Sequence, residues 1–123
     1  MIMLKINNID FSGHVLAGGY KVQSEDVYIP WTNANGIEKR KKYRTRVVGS
    51  MDVFFRSMTD YESFAAAVAA KTNSDNAVEV TLTDNRTNQE VTINAFMDYE
   101  VVRNIDGMWD DFYESFTIDI EEQ

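Results

Sequence analysis

Apolar and polar side chains alternate with a period of two along most of the 123 residues, which predicts a mainly β protein with one α-helix. The connections between the alternating segments are too short for helical crossovers, so antiparallel pairing is favoured. We expect an antiparallel β-sandwich or partly open barrel of about seven strands, with one helix packed against it. The length suits one domain, and we predict a single β-sandwich-like domain over residues 1–123 with a projecting loop or hairpin around 24–46.

The first half of the chain contains alternating segments of unequal quality. We predict strands at residues 1–6, 15–22, 27–29 and 43–55. Pro30 is expected to end the third of them, and the asparagines and glycine within residues 31–36 predict an exposed connection. The fourth segment is the clearest strand. Because a straight strand of that length would reach roughly 40 Å, we expect a bend or bulge near Gly49.

One helix is predicted between the middle strands. Thr59 and Glu62 have the spacing of a capping box, and apolar residues at helical spacing follow as far as Ala70. After the helix, alternation predicts a hairpin that turns at residues 84–88, and then further strands. These strands are expected at residues 78–82, 91–95, 97–102 and 112–120. The last of them has an apolar face and is expected to be paired within the sheet.

Charge is distributed unevenly along the chain. The net charge is −8, yet residues 1–97 are neutral, and the last 26 residues carry nine acids against one base. Half of the 12 basic residues lie within residues 39–46. The absence of cysteine excludes disulfide scaffolds, thiol catalysis and cysteine zinc sites. The start has no signal-peptide pattern and no stretch is as apolar as a membrane span, so we expect neither export nor membrane insertion.

The basic segment has three interpretations: a nucleic-acid patch, a solvated hairpin, or an electrostatic protein interface. We favour the interface because the chain also has an anionic end. The two segments can pair across strands within one sheet, or between copies that close into a ring. The predicted basic pole of a subunit interface is Lys39, Arg40, Lys41, Lys42, Arg44 and Arg46. The predicted acidic pole is Asp106, Asp110, Asp111 and Glu114, with Trp31 and Trp109 as apolar anchors.

Other chemistry has weaker support in the sequence. Ser12 and His14 lie two residues apart, but no nucleophile-elbow motif accompanies them. Asp110 and Asp111 offer carboxylates, but residues 106–111 do not keep the spacing of a calcium loop. We therefore expect no catalytic, cofactor-binding or metal-binding residues, and no enzymatic activity.

Short features follow one another in a particular order: an opening strand at 4–10, an Asn-x-Gly signal at 33–36, a basic strand at 40–48, a helix at 59–70, a hairpin, and Gly107-Met108-Trp109 before an aromatic strand. This order resembles small tail-component proteins of long-tailed, siphovirus-type phages and prophages of Gram-positive bacteria. Residues 18–30 depart from that pattern, because the family's proline usually comes earlier. The resemblance covers nearly the whole chain and rests on arrangement.

The resemblance implies a tail-tube or distal-tail-like module, that is, a structural virion protein without catalytic residues or cofactors. It implies a location in the virion tail after assembly in the host bacterial cytoplasm. The implied partners are other copies of the chain, as a hexameric ring, and neighbouring tail proteins, with no sequence-specific nucleic acid and no membrane. The alternative function is a monomeric carbohydrate- or protein-binding β-sandwich module that uses Tyr28, Trp31 and Trp109 as a stacking surface.

Overall fold

The computed structural model describes residues 1–70, 74–104 and 112–123. Its elements, in chain order, are β1 (Lys5–Ile6), β2 (Ile9–Asp10), a 3₁₀ turn (Ser12–His14), β3 (Gln23–Thr32), β4 (Glu38–Val53), α1 (Met58–Ala69), β5 (Val78–Asp84), β6 (Gln89–Tyr99), β7 (Arg103–Asn104), β8 (Phe112–Tyr113) and β9 (Phe116–Glu122). The prediction of a mainly β fold with one helix is therefore confirmed.

Seven of these strands form one antiparallel sheet in the order β2-β1-β5-β6-β9-β4-β3. The last strand of the chain, β9, lies in its centre, between β6 and β4. Its apolar residues Phe116, Ile118 and Ile120 are buried on one face of the sheet, and the residues between them are exposed on the other. The expected pairing of the terminal strand is thus confirmed.

The sheet curls until β3 approaches β5 from the opposite side. The Ser24 amide donates to Asp84 Oδ1 at 2.9 Å, and the Asn85 amide donates to the Val22 carbonyl at 3.0 Å. The Tyr20 hydroxyl donates to the Thr83 carbonyl at 2.6 Å, and burial of this phenol raises its pKa to about 12. These bonds across the seam bring the sheet close to the partly open barrel predicted from the sequence.

Helix α1 packs against the concave face of the sheet. It buries Phe64, Ala67 and Val68. The aromatic rings around Phe64 lie at centroid distances of 5.1 Å (Phe55), 5.2 Å (Tyr99), 5.7 Å (Phe11) and 6.0 Å (Phe116). Aromatic packing of this kind joins the helix to the sheet and forms the centre of the core.

Two strand predictions in the first half are wrong. Residues 15–22 form a single bridge, from Val15 to Val53, instead of a strand. This stretch crosses the body through isolated backbone bonds, such as the Lys21 amide to the Ser50 carbonyl at 2.8 Å. Pro30 does not end a strand but lies inside β3. It is tolerated there because β3 is an edge strand, where a missing backbone donor breaks few ladder bonds.

The expected irregularity in β4 falls at a different residue. The register shift lies between Val27 and Tyr28, and it leaves Tyr43 of β4 without a partner on β3. Gly49 has a different role: its φ is +148° and a Cβ there would collide with the Lys21 carbonyl oxygen. The glycine at position 49 therefore allows residues 21 and 22 to pass directly over β4.

The N-cap of the helix lies two residues before the predicted cap, Thr59. Ser57 is the N-cap, and its hydroxyl accepts from the Asp60 amide at 3.1 Å. The sequence contains two overlapping cap signals, Ser57 with Asp60 and Thr59 with Glu62, and only the first is used. Helix α1 itself, Met58–Ala69, agrees closely with the prediction.

Candidate protein-interaction site

The hairpin of β3 and β4 extends well beyond the sheet. Strand β9 pairs with β4 only through residues 48–53, whereas β3 follows β4 as far as its outer end at Glu38. We call residues 28–43 the arm. Every residue of the arm is exposed except Asn33, which is half-buried. The arm therefore makes little contact with the body and has no core of its own.

The tip of the arm is well ordered by hydrogen bonds. The Asn33 side-chain oxygen accepts from the amides of Asn35 and Ile37, each at 3.0 Å. The Gly36 amide donates to the Asn33 carbonyl at 3.0 Å, and Gly36 has a φ of +77°, which suits glycine. This Asx-type turn holds the two arm strands at a fixed spacing.

The two faces of the arm differ in chemistry. Ile29 lies opposite Lys41, and Trp31 lies opposite Lys39, so these four side chains share one face. We call it the apolar-lysine face. Ile29 is 51% exposed and Trp31 is 52% exposed. Large apolar side chains that project from a protein in this way are typical of an interaction surface.

The bases at the root of the arm are paired within the chain. Arg46 bridges Glu25 on β3, at 2.9 Å, and Glu121 on β9, at 3.0 Å. Arg44 donates to the backbone oxygen of Gln123 at 3.1 Å. Here the basic and acidic segments do meet as cross-strand neighbours in one sheet.

Asp26 ties the arm to the turn between β5 and β6. Its carboxylate contacts Arg86 at 3.0 Å and Lys42 at 3.3 Å, and it accepts from the Thr45 hydroxyl at 2.9 Å. The hydrogen bond from Arg86, followed by that from Thr45, holds the pKa of Asp26 well below its ordinary value of 3.8. This cluster fixes the direction in which the arm leaves the body.

Three bases of the predicted basic pole have no ionic partner among the described residues: Arg44, which donates to a backbone oxygen, and Lys39 and Lys41. Arg40 lies 3.6 Å from Glu38 on its own strand. Lys39 and Lys41 make no ion pair within residues 1–70, 74–104 and 112–123. These are the two bases of the apolar-lysine face, so the uncompensated positive charge of the arm is concentrated beside Ile29 and Trp31.

Most of the predicted acidic pole lies outside the described residues. Asp106, Asp110, Asp111 and the anchor Trp109 lie outside the described residues. Glu114 is described and exposed, and its amide donates to the Val102 carbonyl at 2.9 Å. Nothing in the described geometry brings Glu114 to the basic pole.

A second acidic surface was not predicted as a site. Asp98 on β6 and Asp119 on β9 lie directly opposite each other on the face of the sheet that points away from the buried core. Both are exposed, and both line a cleft of about 590 Å³ that also includes Glu100, Val102 and Thr117. The sequence places each residue on a polar strand face, but only the β6–β9 register shows that the two are adjacent.

Ser12 and His14 are used in packing and local structure. The Ser12 hydroxyl accepts from the Met3 amide at 2.9 Å and from the Leu4 amide at 3.3 Å. The His14 ring lies 4.7 Å from the Phe55 ring, measured between centroids. The histidine thus packs against the aromatic core, next to the 3₁₀ turn.

Neither a metal cluster nor a spanning helix is found in the part of the chain that the structure describes. No group of three or more His, Cys, Asp or Glu side chains there is placed to hold a metal ion. No helix there is both long enough and apolar enough to cross a membrane. In comparisons with protein-family models, with curated proteins and with solved structures, nothing matches this chain.

Proposed function

We propose that this chain is a non-enzymatic structural protein of a phage or prophage tail, which assembles with copies of itself into a ring through its arm. The observation that carries the proposal is the apolar-lysine face, with half-exposed Ile29 and Trp31 beside two lysines that form no ion pair with any described residue. The tail setting is supported only by the order of short sequence features. The arm supports the self-assembly.

The physical argument starts from what the arm contributes to an isolated molecule. It buries almost nothing, and yet its tip is held by the Asn33 turn and its root by the Asp26 cluster. A hairpin whose two strands are already paired loses less conformational entropy on docking than an unstructured loop, so burial of Trp31 and Ile29 is available for association. The lysines beside them would set orientation and association rate more than affinity.

The geometry is less favourable to the binding-module alternative. A stacking platform needs aromatic rings on a common surface. Tyr28 lies opposite Lys42, whereas Trp31 lies opposite Lys39, so the two rings lie on opposite faces of the arm. Trp109 lies outside the described residues.

The direct test is the mass of the purified chain in solution. We expect size-exclusion chromatography with light scattering to show a closed oligomer at high protein concentration, and negative-stain electron microscopy to show rings. A strict monomer at every concentration would refute self-assembly. A mass of two chains would show that the chain forms a dimer with two equivalent contacts instead of a ring.

The arm itself is tested by a pair of matched variants. Trp31→Ala removes exposed apolar area on the arm, and Ile9→Ala removes it from a residue that is 47% exposed on the body, on the edge strand β2. We expect the first to abolish the oligomer and the second to leave it unchanged, with both variants keeping the thermal midpoint of the parent. Equal assembly by Trp31→Ala would exclude the arm as the contact.

The tail setting needs its own experiment, because it is independent of self-assembly. Antibodies against the purified chain should decorate the tails of particles released from a lysogen that encodes it, as seen by immunogold electron microscopy. Labelling of heads alone, or of no particle, would contradict the tail assignment while leaving the ring intact.

A further inference from the structure

We infer that the opposed aspartates Asp98 and Asp119 of one copy are the docking surface for the apolar-lysine face of another copy's arm, with Lys39 and Lys41 as the charge partners. This rests on the proposed self-assembly and names its receiving site. We call Asp98, Asp119 and the neighbouring Phe96 the receiving patch. All three lie on the face of the sheet that points away from the buried core.

The receiving patch is electrostatically unfavourable in an isolated chain. Residues directly opposite on antiparallel strands have Cβ atoms about 5 Å apart, and like charges in that position repel. Among the described residues, neither Asp98 nor Asp119 has a cation or a side-chain hydrogen-bond donor as partner. Their neighbours on the same face are already engaged, since Glu121 pairs with Arg46 and Asp52 accepts from Thr117 at 2.6 Å. A cationic partner would remove the repulsion.

The chain's own arm cannot supply that partner. Asp119 lies beside Ser50 of β4, and Lys41 lies nine residues further out along the same strand. At about 3.3 Å per residue the separation is roughly 30 Å, which is far beyond the reach of a lysine side chain. Lys39 and Lys41 can therefore meet Asp98 and Asp119 only between two copies.

The two surfaces match in spacing and in apolar content. Lys39 and Lys41 lie two residues apart on one strand, about 7 Å, and their flexible stems can converge on carboxylates about 5 Å apart. Phe96, opposite Glu121 and 36% exposed, gives the receiving patch an apolar member to meet Ile29 or Trp31. A contact between two different surfaces of the same chain can repeat around a ring, as the proposed function requires.

The test begins with removal of the receiving charges. Asp98→Asn with Asp119→Asn should weaken self-association about tenfold at low salt, because two lysine contacts are lost. The matched control is Glu62→Gln with Glu90→Gln, which removes two exposed carboxylates elsewhere and gives the same net charge. The control should associate like the parent chain. All samples contain a chelator, so that no divalent cation neutralises the patch.

A second readout separates lost docking from lost folding. Since the two aspartates repel each other, the Asp98→Asn, Asp119→Asn chain should have a slightly higher thermal midpoint than the parent when both are measured as dilute monomers. Weaker association together with equal or greater stability supports the proposal. Weaker association with a clearly lower midpoint would overturn it, because the aspartates would then be structural.

Charge exchange gives the sharpest result. Lys39→Glu with Lys41→Glu gives a negative arm, and Asp98→Lys with Asp119→Lys gives a positive patch, so each variant alone should stay monomeric. An equimolar mixture restores an opposite-charge contact at every arm and patch, and it should recover the parent mass. A mixture that stays monomeric would overturn the receiving patch.

Failure of the inference can be told from failure of the proposed function. If the parent chain assembles and Trp31→Ala abolishes assembly, but Asp98→Asn with Asp119→Asn changes nothing, the arm is a contact and the receiving patch is wrong. If the parent chain never assembles, both proposals fail.

Discussion

The inner and outer halves of β4 belong to one continuous strand but lie in opposite environments. The inner half, residues 47–53, pairs with β9 along one edge, receives isolated backbone bonds from Leu16 and Lys21 along the other, and buries Val47, Met51 and Val53. The outer half, residues 38–46, is paired only with β3 and is almost entirely exposed. Both halves keep an extended backbone, so the difference lies in what covers the strand. Where no layer covers it, neither face has to be apolar.

This contrast separates stability from interaction. Side chains of the inner half and of the helix that covers it should determine the free energy of unfolding. Side chains of the outer half should determine association and leave folding nearly unchanged. Each of the following experiments tests whether residues that determine folding and residues that determine association are separate.

The largest effect on folding is expected from the core. Phe64→Ala removes a fully buried ring surrounded by five other aromatic side chains, and it should lower the free energy of unfolding by about 3–5 kcal/mol in urea titrations. Trp31→Ala on the arm should change it by less than about 0.5 kcal/mol. A comparable loss from both would mean that the arm packs against the body.

The next largest difference in stability is expected between two glycine-to-alanine variants. Both Gly49, in the inner half of β4, and Gly36, at the tip of the arm, have positive φ angles. Alanine would collide with the Lys21 carbonyl at position 49, whereas it meets nothing within 4 Å at position 36. We expect Gly49→Ala to lower the free energy of unfolding by about 1–3 kcal/mol more than Gly36→Ala, measured by chemical denaturation. Equal losses of unfolding free energy in the two variants would show that position 49 needs glycine for its backbone conformation and not for the close approach of residue 21.

A smaller effect is expected at the start of the helix. Ser57→Ala should lower the free energy of unfolding by about 1 kcal/mol, because the Asp60 amide loses its acceptor. Thr59→Ala, at the cap predicted from the sequence, should be near neutral because residue 59 lies inside α1. If Thr59→Ala lowered the thermal midpoint more than Ser57→Ala, Thr59 would be the N-cap, as the sequence predicted.

The smallest effect concerns pH at the root of the arm. The pKa of Asp26 is lowered in the folded chain, so its stabilising contribution is complete above its ordinary value of 3.8 and is lost as the pH falls below that value. The difference in thermal midpoint between the parent and Asp26→Asn should therefore be constant near neutral pH and shrink under acid conditions. In an Arg86→Leu background, the difference in thermal midpoint that Asp26→Asn causes should be smaller already at neutral pH, because the main partner of Asp26 is absent. A pH-independent difference would contradict the ionic role of Asp26.

Periodicity predicted the body of the fold well, because each body strand has one face against a core. The alternation of Phe116, Ile118 and Ile120 correctly placed β9 in a sheet, and the hairpin of β5 and β6 turns where its polar residues indicated. Residues 15–22 were predicted incorrectly. Their alternating apolar residues are held by isolated backbone bonds across the body instead of by a ladder.

The candidate site was only half predictable. A run of bases identifies Lys39 and Lys41 directly, because neighbours in sequence remain neighbours in a strand. The pairing of Asp98 with Asp119 depends on register between strands that are distant in sequence, which alternation alone does not determine. For the same reason, the run of bases alone does not predict that Lys42 contacts Asp26 or that Arg46 contacts Glu121.

The proline within β3 has a consequence for behaviour at high concentration. Between residues 38 and 47, where β4 no longer pairs with β9, both outer edges of the hairpin are unpaired. Exposed strand edges are templates for fibril growth. Pro30 removes a backbone donor from one edge, while the unpaired Tyr43 and the lysines distort and charge the other. Growth by strand addition is thus opposed along both edges. Concentrated solutions of the chain should accumulate discrete particles and stay dark with an amyloid dye, and Pro30→Val should make them bind it.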